Sequence, residues 1–376
     1  MKVLLKSVLF TIVAVVLVTL ALQVLAEQPS ELWKYNTDSK VSSVSISADG
    51  NYIVAGARNI YLFNNKGEKL WEHKIGNTVN GVSVSNSGEY IVAGAENKYI
   101  YLLDHSGNKL WRNETTGKVK SVSISADGEY IVAGTSDNYV YLLDNKKNKK
   151  WEYKCDGVVG TVFISDDYIG VGAWGGSIYL FDKQGNLLWS TKTSKHVDIN
   201  GISISGDGKY IVAASSNGNI HLYDNTGNLL WSESLGKSLH AIAISSDGEY
   251  IVSGSDDAYA YFFKNMPTKP EQQWKFKARK AVFDVSISPN GKYIAIGSDD
   301  NNVYYLDSLI TVQPTTSPTS KETQQETPTP AIPTATPTTK PTETESPSTP
   351  GFEIIFAVIG LLIGLKVYRF NRRRLI

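Results

Sequence analysis

The sequence predicts an all-β protein, a seven-bladed β-propeller closed by an N-terminal outer strand, and three observations carry that expectation. One kind of hairpin recurs along the 376 residues: SISADGEYIVAG at 123–134 has near-copies in SISADGNYIVAG, SISGDGKYIVAA and SISPNGKYIAIG. Trp33, Trp71, Trp111, Trp151, Trp189, Trp231 and Trp274 follow one another at intervals of 38, 40, 40, 38, 42 and 43 residues, the period of a four-stranded blade. Composition agrees, since 21 Tyr, 11 Phe and 8 Trp beside 31 Gly and only 2 Met suit short strands and turns better than helices.

Within one period, VKSVSIS, YIVAG, YVYLLD and the segment bearing the tryptophan supply four strands, here A, B, C and D. Asp127-Gly128 joins A to B, and the Asp-Gly pair is expected to supply the positive φ angles of a tight two-residue turn. Ser106-Gly107-Asn108 and Thr226-Gly227-Asn228 join C to D. Seven A-B-C units begin near Val41, Val79, Lys118, Val158, Ile199, His240 and Val282. The first D strand, around Trp33, has no such unit before it, and the last unit, ending near Asp307, has no D strand after it. Residues 32–37 are therefore expected to pair as the outer strand of blade seven, which closes the ring and removes an exposed edge. Side-chain size supports a radial arrangement: strand A is rich in Ser, strand B ends in Ala-Gly, strand C carries Tyr, Leu and Phe, and strand D carries Trp.

Two families share these features. Strand C ends in Asp at Asp104, Asp144, Asp182, Asp224 and Asp307, and with the seven-fold count this resembles WD40 repeats, although Leu, Phe or Tyr replaces the usual Trp before that Asp and the Gly-His signature is missing. Gly-Asn-Lys-Leu-Trp111 and Gly-Asn-Leu-Leu-Trp189 resemble the ending of the PQQ-type repeat. Either resemblance spans residues 32–307 and implies a propeller; neither implies one function.

Both ends point to a membrane. Residues 1–26 carry Lys2 and Lys6, an uncharged apolar stretch and the small-residue ending Val24-Leu25-Ala26, the pattern of a signal peptide, cleaved or retained as an anchor. The body, 27–310, is followed at 311–350 by a stretch with 9 of the 13 prolines and 14 threonines, which reads as a disordered, glycosylatable stalk reaching up to ~120 Å. Residues 351–376 hold a short apolar span and then Arg372, Arg373 and Arg374, which are expected to stay cytoplasmic and leave the body outside the cell. On composition this is a plain C-terminal anchor. Pro350-Gly351-Phe352 placed before that span and basic tail resembles the archaeal PGF-CTERM sorting signal, which implies cutting by an archaeosortase-type enzyme and attachment of a lipid.

Several chemistries find no support. The body carries 28 basic against 32 acidic residues, which argues against nucleic acid as a partner. Cys155 is the only cysteine and reads as a small half-buried residue, so neither an internal disulfide nor a cysteine zinc site is expected. Gly170-Val171-Gly172-Ala173-Trp174-Gly175 matches G-x-G-x-x-G, but the strand-like Ser177-Ile178-Tyr179-Leu180-Phe181 follows where a dinucleotide site needs a helix. Gly236-Lys237-Ser238 lacks the earlier glycine of a P-loop, and the five histidines fall at different phases of the repeat. Seven blades with Ser-rich inner strands do not provide the aromatic platform and calcium ligands of quinone-cofactor enzymes, so no cofactor or metal is expected.

A partner is expected on the face formed by the D–A and B–C loops, because these differ from blade to blade while the opposite turns are short and uniform. Its B–C positions are Arg58, Glu96, Asp137, Trp174, Asn217, Asp256, Asp257, Asp299 and Asp300. The acids would meet a cation or a basic partner, or else bond local backbone amides. Trp174, in the irregular SDDYIGVGAWGG, would be a sugar or peptide platform or a space-filler. Asn113-Glu114-Thr115 is the N-glycosylation sequon of the body. The resulting expectation is a monomeric, non-catalytic surface module that binds protein or glycan at an archaeal envelope. An extracellular propeller enzyme (hydrolase, lyase or quinoprotein) and an envelope-assembly scaffold are the alternatives.

Overall fold

Apolar and polar residues alternate within each repeat, and the runs meet at turn residues, so each repeat folds locally into an antiparallel meander. A computed structural model describes residues 28–194 and 196–310. The expectations for residues 1–26, 311–350 and 351–376, Pro350, Gly351 and Phe352 included, lie outside the described residues. Every element described is a strand. Blade 3 is representative: Val119–Ile124, Tyr130–Thr135, Tyr139–Asp144 and Lys149–Lys154 pair in that order. Sheets of the same order occupy 43–73, 79–114, 159–192, 199–234 and 239–277.

The seventh sheet closes the ring. Val282–Ile287, Tyr293–Ser298 and Asn302–Asp307 are completed by Ser30–Asn36, which pairs antiparallel to the last of them with Trp33 opposite Tyr305 and Lys34 opposite Tyr304. The inner strand of blade 7 packs against that of blade 1, as successive inner strands do around the ring. Outer strands such as KKWEYK, 149–154, keep an edge open to solvent and blunt it with charged side chains.

Three layers of contact recur between successive blades, and they explain why the repeat is so strict. Nearest the axis, serine hydroxyls reach the otherwise unpaired amides of the following inner strand: Ser43 Oγ accepts from Val82 N at 3.0 Å, Ser45 Oγ from Val84 N at 3.2 Å and Ser121 Oγ from Val162 N at 3.1 Å. In the middle, the tyrosine that opens strand B lies on the A–B glycine of the next blade. A methyl group on Gly128 would come within 2.6 Å of Tyr90, which demands glycine in addition to the left-handed backbone there. At the rim, five of the seven periodic tryptophans donate their indole N–H to a carbonyl of the next C–D turn, among them Trp71 to His105 O at 2.8 Å, Trp111 to Asn145 O at 2.7 Å and Trp151 to Lys183 O at 3.1 Å. A hydrogen bond of this kind contributes about 0.5–1.5 kcal/mol net.

The A–B turns correct one expectation. Aspartate does not share the positive φ: of the Asp127-Gly128 pair only Gly128 is left-handed, at φ 76°. The strands stop pairing at Ile124 and Ile131, so the connection is a wider loop, clamped by Ser125, whose Oγ accepts from Tyr130 N at 2.9 Å. Asp127 accepts instead, from the Ser125 hydroxyl and from Glu129 N at 2.9 Å. Burial pushes its carboxyl up, and these hydrogen bonds outweigh that and hold it below the usual range. Cys155 is buried rather than half-buried, and burial, with Asp156 beside it, pushes its thiol up to about 12, which removes thiolate reactivity at neutral pH.

Blade 5 departs from the pattern at His221. Three of its counterparts in strand C reach the preceding B–C turn through a phenol: Tyr261 donates to Asp257 Oδ2 at 2.6 Å, Tyr304 to Asp300 Oδ2 at 2.5 Å, and Tyr101 accepts from Asn97 Nδ2 at 2.8 Å. Both ring nitrogens of His221 are buried without a partner among the described residues, and burial lowers its pKa. A neutral buried histidine loses stability as pH falls below its unfolded value of about 6.5, because only the unfolded chain then takes up the proton freely. His221→Tyr is expected to restore the phenol-to-turn bond with Asn217 and raise stability by about 1 kcal/mol, or ~2 °C in thermal midpoint, with a larger gain at pH 5 than at pH 7.5. Equal midpoints at both pH values would show that the site cannot seat the phenol.

Candidate functional site

The inner strands carry a second device at their D–A end. In six blades the A–B ladder slips by one residue between the first and third positions of strand A, as between Val119 and Ser121 or between Val282 and Asp284. A bulge re-aims the extra side chain. Here it turns Asn80, Lys120, Gly160, Asn200, His240 and Phe283 toward the axis, where with Ser42 of blade 1 they ring the mouth of a cavity of about 290 Å³. A second axial cavity, of about 220 Å³, opens from the opposite face. Phe163, standing where blades 1, 2, 3, 5 and 7 have serine, lines both together with Ser45, Ser83, Ser123 and Ser286. The upper cavity is a funnel lined by the inner strands of all seven blades.

The wall of the funnel is mixed in character. Trp174, 41% exposed, lies over Gly160, where a methyl group would come within 2.6 Å of its Nε1. The glycine in that strand makes the notch the indole occupies. Lys120 Nζ is 5.7 Å from the indole ring centre. Glu96 lies between two lysines, at 3.3 Å from Lys118 and 3.9 Å from Lys120. Across the mouth, His240 Nε2 is 2.5 Å from Asp256 Oδ1, and its ring is 4.6 Å from Phe283, over which Lys40 Nζ sits at 3.6 Å. Asn80 and Asn200 are held by donating Nδ2 to the next blade, to Val119 O at 2.8 Å and Leu239 O at 2.9 Å.

Deeper in the funnel stands Asp284, in a ring position held elsewhere by Ser, Thr, Gly or Ala. It couples blade 7 to blade 1: Oδ2 accepts from Ser43 Oγ and Val44 N, each at 2.8 Å, while Oδ1 accepts from Val285 N at 2.9 Å. Burial, with only the narrow cavity in front of it, pushes its carboxyl up to about 6 against the opposing pull of those three donors.

The residues singled out from sequence divide by their place in the B–C turn. Those at the first turn position meet the funnel or its margin. Glu96, Trp174 and Asp256 contact the ring residues just described, and Arg58 joins Glu96, Lys40 and Lys120 around an adjoining cleft of about 710 Å³. Asp299 lies 3.6 Å from Lys280. Those at the second position bond inward. Asp137 accepts from Thr135 Oγ1 at 2.6 Å and from the Thr116 hydroxyl; Asn217 accepts from Ser215 Oγ at 2.7 Å. Asp257 accepts from Tyr259 N at 3.1 Å as well as from Tyr261, and Asp300 accepts from Asn302 N at 3.0 Å and Tyr304 Oη at 2.5 Å. The two Asp-Asp pairs are thus split between roles, and among the described residues no group of three or more His, Cys, Asp or Glu is placed to hold a metal ion. Asn113 sits half-buried on the outer strand Lys109–Glu114, with the hydroxyl of Thr115 donating to Lys98 O at 2.8 Å.

Sequence reasoning passed over Lys120, His240, Phe283 and Asp284. The signal was present: these are the places where the inner strand departs from the small residues of its neighbours, as in VFDVSIS against VSSVSIS.

Fold and site together define the class, a seven-bladed β-propeller with an axial funnel on its variable face. Residues 22–137 and 132–258 match the family of unknown function DUF5711; the two spans together cover more than half of the chain, and the chain belongs to that family. Residues 270–307 match the WD domain, G-beta repeat, in a frame that starts with a D strand and ends with strand C, the same offset that closes the ring. Residues 349–363 match the PGF-CTERM motif, which makes this a membrane-anchored, cell-surface protein of an archaeon. No match to a curated protein was found.

Proposed function

We propose that the protein is a non-catalytic binding module displayed outside the cell, which uses the D–A and B–C face to engage a protein or glycan of the archaeal envelope. The observation that supports this reading is the exposed indole of Trp174 propped on the Gly160 notch at the mouth of the axial cavity. Burying a large aromatic is favourable, so a surface that leaves one standing beside hydrogen-bonding groups suits a ligand that covers it. A rigid ring also fixes the spacing of loops from seven blades, which serves recognition without requiring a moving part.

The test is retention from isolated envelope by the purified full-length protein in detergent. One protein or polysaccharide is expected to be retained in stoichiometric amount, and Trp174→Ala is expected to retain at least tenfold less at an unchanged thermal midpoint. Turnover of an offered polysaccharide or peptide, lost on substituting His240 or Asp256, would replace this reading with an enzyme. Co-purification of a membrane complex that survives Trp174→Ala would replace it with an assembly scaffold.

A further inference from the structure

We infer that the funnel binds the terminal residue of an acidic saccharide, with its sugar ring on Trp174 and its carboxylate turned to Lys120. This rests on the binding reading above and specifies the ligand.

Shape gives the first part. The funnel opens at the D–A and B–C face and carries the bulk of Phe163 on its deeper wall, so a chain molecule enters by its end. A volume of about 290 Å³ lies near the lower limit of small-molecule pockets, room for a sugar residue and too little for a folded segment of protein. Polarity gives the second. The walls alternate an indole face with neutral hydrogen-bonding groups, and Asn80 and Asn200, each anchored through Nδ2, keep a carbonyl oxygen that accepts from no donor among the described residues. An aromatic platform flanked by fixed acceptors matches a ring with an apolar C–H face and hydroxyls at its edge.

Charge gives the third. Glu96 is shared by Lys118 and Lys120, so this triad carries one positive charge in excess. The adjoining cleft adds Lys40 and Arg58, and Lys120 belongs to both cavities. Lys120 Nζ already lies 5.7 Å from the centre of the indole ring, so an acidic group on a sugar stacked there stands beside an ammonium. Two acids stand elsewhere in the funnel: Asp256 holds its Oδ1 against His240 Nε2, and Asp284 lies deeper, with its oxygens bonded by Ser43, Val44 and Val285.

The experiment is calorimetric titration of the full-length protein in detergent with methyl β-D-glucuronide and methyl β-D-glucoside, at low and moderate salt. The uronide is expected to bind at least tenfold more tightly than the glucoside, and that margin should shrink as salt rises. Trp174→Ala should lose both ligands and Trp174→Phe should recover part of the binding. Lys120→Ala should bring the uronide down to the level of the glucoside at an unchanged thermal midpoint. Equal affinity for the two glycosides, or binding of polygalacturonate without binding of the methyl uronide, overturns the inference. Absence of any saccharide binding also overturns it; envelope retention that persists in that case leaves the binding reading intact, whereas loss of retention too removes both.

Discussion

Trp33→Ala is expected to lower the thermal midpoint by about 4–6 °C, and deletion of residues 28–37 by at least ~15 °C with loss of a single cooperative transition. Trp33 belongs in sequence to the start of the chain and in space to the seam between blades 7 and 1. Its ring stacks on Tyr305 at 5.3 Å and tilts against Phe63 at 5.6 Å, and its indole N–H donates to Asn65 O at 3.1 Å. Removing a half-buried tryptophan in such surroundings costs about 2–3 kcal/mol. Deleting the strand removes far more: the ladder from Ser30 to Asn36, the ring packing of Tyr35 on Phe63, and the cover over Asn302–Asp307. That exposed edge would be an apolar template for pairing between molecules, so aggregation is expected on heating. Trp111→Ala supplies the comparison, because it removes a similar staple within an uninterrupted stretch of chain and leaves the ring closed. Calorimetric scans of the three variants decide the matter, and a deletion that melts like the parent would mean that the seam contributes nothing to closure.

That closure was legible in the sequence because it is a matter of counting: a displaced D strand and a missing one are visible as soon as the period is known. The reason for the period was not. Trp spacing reported large residues at the rim, but most of these tryptophans also reach a turn carbonyl of the next blade, and four lie on that turn's glycine, as Trp71 does with His105 and Gly107. The serines of strand A looked merely small, whereas their hydroxyls take the place of a neighbouring strand for amides that face the axis. Both are relations between repeats, and no single repeat displays them.

The same distinction governs the site. Loop variability singled out this face, yet one B–C position contributes to the funnel while the next is held in its own turn, a split fixed by side-chain direction across two adjacent residues. Asp256 and Asp257 read as a pair and act apart, one toward His240 and one toward Tyr261. Asp284 escaped notice because Asp is unremarkable in a turn-rich protein; what sets it apart is its register on an inner strand, where it replaces a serine-sized residue.

Asp284→Asn is expected to make the protein more stable at pH 7 and to flatten its stability between about pH 4 and 6. The sign follows from linkage. Folding raises this carboxyl from its ordinary 3.8 to about 6 through burial, so the folded state holds the proton more tightly than the unfolded one. The stability the group contributes is then complete below pH ~4, falls as pH rises through the folded value, and is gone above it. A shift of this size corresponds to at most ~3 kcal/mol, and water in the axial cavity brings the expected effect to roughly 1–2 kcal/mol. Asp144 and Asp224 act in the opposite sense in a different window. For both, burial raises the carboxyl and hydrogen bonds outweigh it, from Asn148 and Lys150 for Asp144 and from Thr226 and Asn228 for Asp224; the net result is about 2, so their contribution is present above 3.8 and lost below it. Comparing the variant with the parent at each pH cancels those groups and isolates Asp284. The amide keeps an oxygen for Ser43 or Val44, so the seam survives, whereas Asp284→Ala strands both donors and is expected to cost about 1–3 kcal/mol at every pH. Urea midpoints from pH 4 to 8 for the three proteins test this. A variant that tracks the parent across that range would place the Asp284 carboxylate in full contact with water, with no part in holding the last blade to the first.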